Sequence, residues 1–79
     1  MDVPTSEEKE FLENLGRRIK ELRRSKGYSN YEHFAFENNI SRTQYGKYET
    51  GENMKILNLL RVLKGLDISI SEFFNEGFE

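Results

Sequence analysis

The sequence predicts an all-α fold in which five helices form one compact domain. Apolar residues recur at three- and four-residue steps through most of the chain, and this spacing places them on one face of a helix. Capping residues and glycines divide the pattern into five segments. Because the chain has 79 residues, of which 35% are hydrophobic, we expect one small core and no second domain.

The first helix is predicted to run from Thr5 to about Lys26. Thr5 and Glu8 have the spacing of a capping box, and acidic residues in the first turn favour the positive end of the helix dipole. Gly27 is expected to end the helix. The predicted buried face consists of five apolar residues at helical spacing: Phe11, Leu12, Leu15, Ile19 and Leu22.

Two short helices joined by a tight turn are predicted next. The second helix should end near Asn38, since Asn38 and Asn39 tolerate the left-handed conformation that caps helices. Ser41 is the expected N-cap of the third helix. Gly51 is its expected end, because glycine has no Cβ to oppose a positive φ. The turn therefore spans only a few residues.

The third helix is predicted to have two unlike faces. Tyr45 and Tyr48 lie three residues apart and face the core. The opposite face, within two turns of the N-cap, carries hydrogen-bonding side chains: Arg42, Thr43, Gln44 and Lys47. The start of such a helix fits the DNA major groove, where arginine suits guanine, glutamine suits adenine and threonine can meet a thymine methyl. We predict base contacts for these four residues, with a merely solvated helix face as the alternative.

A fourth helix is predicted from about Met54 and a fifth from Ser71 and Glu72, and residues 67–69 are expected to end the fourth helix. The residues expected to face inward are Ile56, Leu57, Leu60, Leu63 and Leu66, followed by Phe73 and Phe74. A further apolar set exceeds what one small core needs, so we expect some of it to pack against a second subunit or another protein. This set consists of Leu59, Val62, Ile70, Phe74 and Phe78.

The composition argues against several kinds of site. The chain has no cysteine, and His33 has no ligand partner at metal-binding spacing. It contains no glycine-rich phosphate loop or Ser-His-Asp arrangement, and neighbouring acids such as Glu7 and Glu8 fit a solvated surface. No apolar run approaches the ~20 residues of a membrane span. We therefore expect a cytoplasmic protein that is no enzyme and has no metal, cofactor or membrane association.

The charge is unevenly distributed. The net charge of -2 argues against a nucleic-acid partner, since phosphate neutralisation supplies much of the affinity for DNA. However, the acids collect in residues 1–14 and 67–79, whereas residues 17–26 contain six basic residues and only one acid. A duplex responds to the local potential within a Debye length of about 8 Å. The basic middle of the chain can therefore bind DNA despite its acidic ends.

The chain resembles the lambda-repressor-like (Xre or Cro type) helix-turn-helix family over about residues 15–74. The resemblance rests on LGRRIKELR at 15–23 with Gly27, on Glu32, Phe34 and Ala35, on Ile40-Ser41-Arg42, on YETG at 48–51, on Leu60, Leu63 and Leu66, and on ISISEFF at 68–74. It implies a five-helix DNA-binding domain whose helix-turn-helix is formed by helices 2 and 3. Residues 1–14 are then an acidic extension with the start of helix 1, and residues 75–79 a tail.

The resemblance also implies roles for single residues. Family members usually begin the second helix with a glutamine that touches a phosphate, and here Tyr31 occupies that place. Glu49 is expected to form an ion pair with Arg23. The phosphate contacts expected are those of Arg23, Tyr31, Ser41 and Lys55. Because the terminal helix of the family often lies at the dimer interface, Ile70, Phe74 and Phe78 are expected there.

Three functions remain open from the sequence. The first is a sequence-specific regulator, a repressor that binds double-stranded DNA at a palindromic operator as a homodimer. The second is an antitoxin or adaptor that uses the same scaffold to bind a partner protein. RNA binding is the weakest, since the sequence offers no exposed aromatic platforms.

Overall fold

The computed structural model describes residues 3–78, which form five helices and no strand. The helices are α1 (Ser6–Ser25), α2 (Tyr31–Glu37), α3 (Arg42–Glu49), α4 (Ile56–Leu66) and α5 (Ile70–Phe73). The predicted all-α class and the order of the helices are confirmed. Residues 1, 2 and 79, at the ends of the two predicted acidic segments, lie outside the described residues.

Capping boxes begin the first and last helices. The Thr5 hydroxyl accepts from the Glu8 amide at 3.1 Å, and the Glu8 carboxylate accepts from the Thr5 amide at 2.8 Å. Ser69 and Glu72 form the same arrangement before α5. The two hydrogen bonds from Ser69 lower the pKa of the Glu72 carboxyl. Because Ser69 is the N-cap, α5 begins at Ile70 rather than at the predicted Ser71.

The turn between α2 and α3 has the predicted conformation. Asn39 adopts a left-handed φ of 57°, and Gly51 after α3 has a φ of 95°. The Ser41 hydroxyl accepts from the Gln44 amide at 3.4 Å, which makes Ser41 the N-cap of α3. These local features fix where α3 starts and stops.

The core lies between α3 and the helices around it. Its fully or almost fully buried apolar residues are Leu15, Ile19, Phe34, Ala35, Tyr45, Tyr48, Leu59, Val62, Leu63, Leu66 and Phe73. Gly16 allows α1 and α3 to approach closely, because a Cβ there would lie 2.5 Å from the Tyr48 carbonyl oxygen. The back of α3 is thus held against α1 along its last turn.

The buried face of α4 differs from the prediction. Ile56, Leu57 and Leu60 are 72%, 54% and 41% exposed, whereas Leu59 and Val62 belong to the core. The buried set of α4, which is Leu59, Val62, Leu63 and Leu66, has i, i+3, i+4, i+7 spacing. Leu59 and Val62 therefore do not belong to the apolar residues in excess of the core. The exposed apolar residues of α4, which are Ile56, Leu57 and Leu60, lie outside this buried face.

An aromatic cluster joins the two ends of the described chain. Phe11 and Phe74 have ring centroids 6.2 Å apart, and Phe78 lies 5.3 Å from Phe11 and 4.9 Å from Phe74. Phe11 remains 45% exposed, so its predicted place in the buried stripe of α1 is wrong. Phe73 is fully buried as predicted, while Phe74 and Phe78 are half-buried against the core of their own chain.

Candidate nucleic-acid interface

The exposed side of α3 carries the four predicted base-contacting residues. Arg42, Thr43, Gln44 and Lys47 are all exposed. Tyr45 and Tyr48, on the other side, are 0% and 5% exposed. The tyrosines anchor the helix in the core, as predicted, and so present a row of hydrogen-bonding groups to solvent.

A buried ion pair ties α3 to α1. Arg23 donates from Nε to Glu49 Oε2 at 2.7 Å and from Nη2 to Glu49 Oε1 at 3.1 Å. Its Nη1 donates to the Tyr28 carbonyl at 2.5 Å. The two side chains are 3% and 8% exposed. The hydrogen bonds that Arg23 donates to the Glu49 carboxylate raise the pKa of the Arg23 guanidinium despite its burial. This is the pair expected for Arg23 and Glu49, and it connects the ends of both helices to the segment before α2.

Burial changes the role of Arg23. Its guanidinium is engaged by Glu49 and by a carbonyl, and its side chain is 3% exposed. This leaves little free surface for the phosphate contact expected of Arg23, which stays a prediction. Two exposed basic residues nearby, Lys20 and Arg24, line the adjacent groove together with Arg23.

An open groove of about 850 Å³ lies between the end of α1, the start of α2 and α3. Lys20, Arg24, Tyr31 and Lys47 contribute to its walls. The Tyr31 ring is 39% exposed and stacks on Tyr45 with centroids 6.2 Å apart. A Cβ on Gly46 would lie 3.2 Å from this ring, so the glycine gives Tyr31 room to lie along α3. The groove has the basic and hydroxyl groups that suit a phosphate backbone.

Two further predicted phosphate-binding residues flank α3. The Ser41 oxygen accepts from a helix amide, so its hydroxyl proton remains able to donate. Lys55 is exposed and is the N-cap residue of α4, and its side chain makes no capping hydrogen bond. A smaller groove of about 380 Å³ brings Lys55 together with Gln44 and Lys47. The structure thus places Tyr31, Ser41 and Lys55 around the exposed side of α3.

Contacts that the sequence does not predict involve Arg42 and Gln44, two of the predicted base-contacting residues. Arg42 Nη1 lies 3.1 Å from Glu32 Oε2, and the two side chains are 73% and 46% exposed. Tyr48 donates its hydroxyl proton to Gln44 Oε1 at 3.4 Å and accepts from Asn58 Nδ2 at 2.8 Å. The sequence feature that could have indicated the hydrogen bonds of Tyr48 is the polar residue Asn58 within the apolar run of α4.

The sequence profile described as helix-turn-helix matches residues 19–73, which contain α2, the turn and α3. The chain belongs to the helix-turn-helix family. As a member of this family it is a DNA-binding transcription regulator, and the predicted family is confirmed.

Two relatives support this placement of the helix-turn-helix protein. It is 36% identical over 63 residues to the control protein C.MunI of a Mycoplasma species, a match that covers 78% of this chain and 85% of the relative. Its fold matches the crystal structure of the restriction-modification controller protein C.AhdI from Aeromonas hydrophila with a TM-score of 0.75 and 35% identity, covering 82% and 98% of the two chains. Within residues 3–78, no helix combines the length and apolar character needed to cross a membrane.

Proposed function

We propose that this helix-turn-helix protein represses transcription by binding a palindromic operator as a homodimer. The observation that carries the proposal is the exposed polar face of α3, held in place by two buried tyrosines and by the Arg23–Glu49 pair. The similarity to C.MunI and C.AhdI supports the proposal that the regulated genes are those of a restriction-modification system.

The contacts divide into reading and anchoring groups. Arg42, Thr43, Gln44 and Lys47 would contact base edges, since they follow the N-cap of α3 within two turns. Phosphates on either side would be bound by Tyr31, Ser41 and Lys55, with Lys20 and Arg24 in place of Arg23. Phosphate contacts fix the register of the protein, and base contacts provide the choice of sequence.

Dimerisation supplies the affinity that one short recognition helix lacks. Specific DNA-binding proteins typically reach about 10⁻⁸ M or tighter, and two half-sites allow this. The exposed large apolar residues of the last two helices are Ile56, Leu57 and Leu60 on α4 and Ile70 on α5. Of the predicted interface residues, Ile70 is 53% exposed and free to contact a second subunit, whereas Phe74 and Phe78 are half-buried against the core of their own chain. We therefore propose Ile70 with the exposed side of α4 as the centre of the interface.

Selection of bound sequences from a random duplex pool tests the DNA-binding proposal. A homodimer should enrich a palindromic consensus whose half-sites lie about 10 base pairs apart, since its recognition helices enter successive major grooves about 34 Å apart. A pool without any enriched sequence would contradict the proposal and favour the adaptor alternative.

The subunit interface is tested by a double Leu60→Asp, Ile70→Asp variant. Both side chains are exposed in the single chain, so the fold should persist while sedimentation shows a monomer and the gel shift on the selected palindrome weakens. Phe36→Asp is the matched control, because Phe36 is an 82% exposed aromatic residue on α2. A double variant that remains dimeric would exclude this interface.

A further inference from the structure

Three side chains form a hydrogen-bonded row from α4 to the DNA-facing side of α3. Asn58 Nδ2 donates to the Tyr48 hydroxyl oxygen at 2.8 Å, and the hydroxyl donates to Gln44 Oε1 at 3.4 Å. The Tyr48 ring is 5% exposed, Asn58 is half-buried, and Gln44 is exposed. The row therefore begins beside the core and ends on the surface proposed to contact bases.

The hydroxyl of Tyr48 gives this row a direction. A phenol has one proton, and an oxygen that accepts from Asn58 directs that proton to the remaining acceptor, which is Gln44 Oε1. The ring cannot turn away, since it is packed in the core. The Gln44 oxygen is thus held toward Tyr48, and its Nε2 with two N–H groups is left to face the solvent side.

We infer that Tyr48 and Asn58 are positioning residues that orient the Gln44 amide and thereby set its choice of base. The inference rests on the proposed function, since it requires Gln44 to contact DNA. An amide that presents its N–H groups selects hydrogen-bond acceptors. In the major groove guanine offers two acceptors, O6 and N7, whereas cytosine offers only its N4 donor. Gln44 should therefore prefer guanine and reject cytosine.

With its amide oriented in this way, Gln44 is expected to prefer guanine rather than the adenine that suits a free glutamine. Bidentate recognition of adenine needs the amide oxygen to accept from adenine N6 while Nε2 donates to N7. A freely rotating glutamine can do this, but an oxygen held by Tyr48 turns away from the base. Adenine should accordingly rank below guanine at the position that Gln44 contacts.

The first test compares consensus sequences selected from a random duplex pool. Gln44→Ala identifies the operator position that Gln44 contacts, because its base preference disappears there. Tyr48→Phe keeps the ring but removes the hydroxyl, and the preference for guanine over cytosine at that position should fall about five-fold or more. Tyr28→Phe is the matched control, because it removes a hydroxyl that bonds Glu37 rather than a residue of α3. Thermal unfolding of each variant verifies that the fold persists.

The second test reverses the row. In Asn58→Asp, the carboxylate can only accept, so the Tyr48 hydroxyl would donate its hydrogen bond to Asp rather than to Gln44. The hydroxyl oxygen would then accept from Gln44 Nε2, and the Gln44 amide oxygen would turn outward. The preferred base at the Gln44 position should change from guanine to cytosine or adenine, which carry exocyclic donors. Because the added charge weakens binding to every sequence alike, the relative preference is the quantity to compare.

The outcomes separate this inference from the proposed function. A wild-type consensus that Gln44→Ala alters, but that both Tyr48→Phe and Asn58→Asp leave unchanged, would overturn the positioning role and leave the regulator intact. If Tyr48→Phe does not fold, the half-buried Asn58 still decides through Asn58→Asp. An absent wild-type consensus, or one that Gln44→Ala does not affect, would remove the basis of the inference.

Discussion

Two arginine–glutamate pairs that involve α3 differ in almost every physical respect. Arg23 and Glu49 are 3% and 8% exposed and share two hydrogen bonds. Arg42 and Glu32 are 73% and 46% exposed and share one contact of 3.1 Å. The first pair joins α1 to the end of α3, and the second joins α2 to the start of α3.

This difference separates scaffold from recognition surface. Separating a buried ion pair leaves an uncompensated charge and raises the free energy of the folded state, so Arg23 and Glu49 should remain paired. An exposed pair contributes little, because water and salt replace either partner easily. The proposed contact of Arg42 with a guanine would therefore cost little in lost attraction to Glu32, while the opposite end of α3 stays fixed. One helix thus combines a rigid anchor with an exchangeable side chain.

The largest expected effect is that of Glu49→Ala. The substitution leaves the Arg23 guanidinium buried and unpaired, so we expect the free energy of unfolding to fall by about 3–5 kcal/mol in urea denaturation. Glu32→Ala is the matched control and should change it by less than about 1 kcal/mol. Equal losses in the two variants would abolish the distinction between the pairs.

Arg42→Ala should affect binding without affecting stability. Loss of a bidentate guanine contact should weaken binding to the selected duplex by about 1–3 kcal/mol in fluorescence anisotropy. The free energy of unfolding should stay within about 0.5 kcal/mol, because the side chain is exposed. An equal loss on the selected duplex and on random duplex would make Arg42 a phosphate contact.

A smaller effect is expected of Glu32→Gln. This variant removes the carboxylate that holds Arg42 in the free protein and one negative charge near the proposed interface. Affinity for duplex DNA should rise a few-fold at low salt and approach the wild-type value at high salt, because the added attraction is screened. An affinity below that of the wild type would show instead that Glu32 supports the bound conformation of Arg42.

The smallest effect concerns the exposed carboxylate of Glu72. Its pKa is lowered by hydrogen bonds from Ser69, so its ionised form stabilises the fold above the usual carboxyl range. That contribution is lost as the pH falls through the lowered pKa. The melting temperature of the wild type should exceed that of Glu72→Gln at neutral pH, and the difference should shrink in acid. A difference independent of pH would assign the stabilisation to something other than ionisation.

Local signals in the sequence predicted the bounds and the buried side of α3. Ser41 and Gly51 mark the ends of α3, and the spacing of its two tyrosines identifies the buried side. The face of α4 was mistaken, because apolar residues lie around much of that helix and periodicity alone does not choose between Leu59 and Leu60. Packing against the neighbouring helices makes that choice.

Other features of the interface depend on tertiary structure. Glu32 and Arg42 are ten residues apart in sequence and meet only because the turn brings α2 against α3. Asn58 on α4 and Tyr48 on α3 are likewise ten residues apart in sequence, and the fold brings their side chains together. The burial of Arg23 follows likewise from the fold, whereas the family resemblance had implied a phosphate contact as well as the ion pair. Sequence patterns thus predicted which side of α3 is exposed, but the partners of its side chains required the structure.

The most direct measurement is a titration of the ¹⁵N-labelled protein with the selected duplex, followed by amide and side-chain resonances. We predict that the largest shifts will occur at residues 41–47, with accompanying changes at Tyr31 and Lys55, while Glu49 keeps its bond to Arg23. Shifts centred on the exposed side of α4 or on the acidic start of α1, with none in residues 41–47, would contradict α3 as the DNA-reading surface.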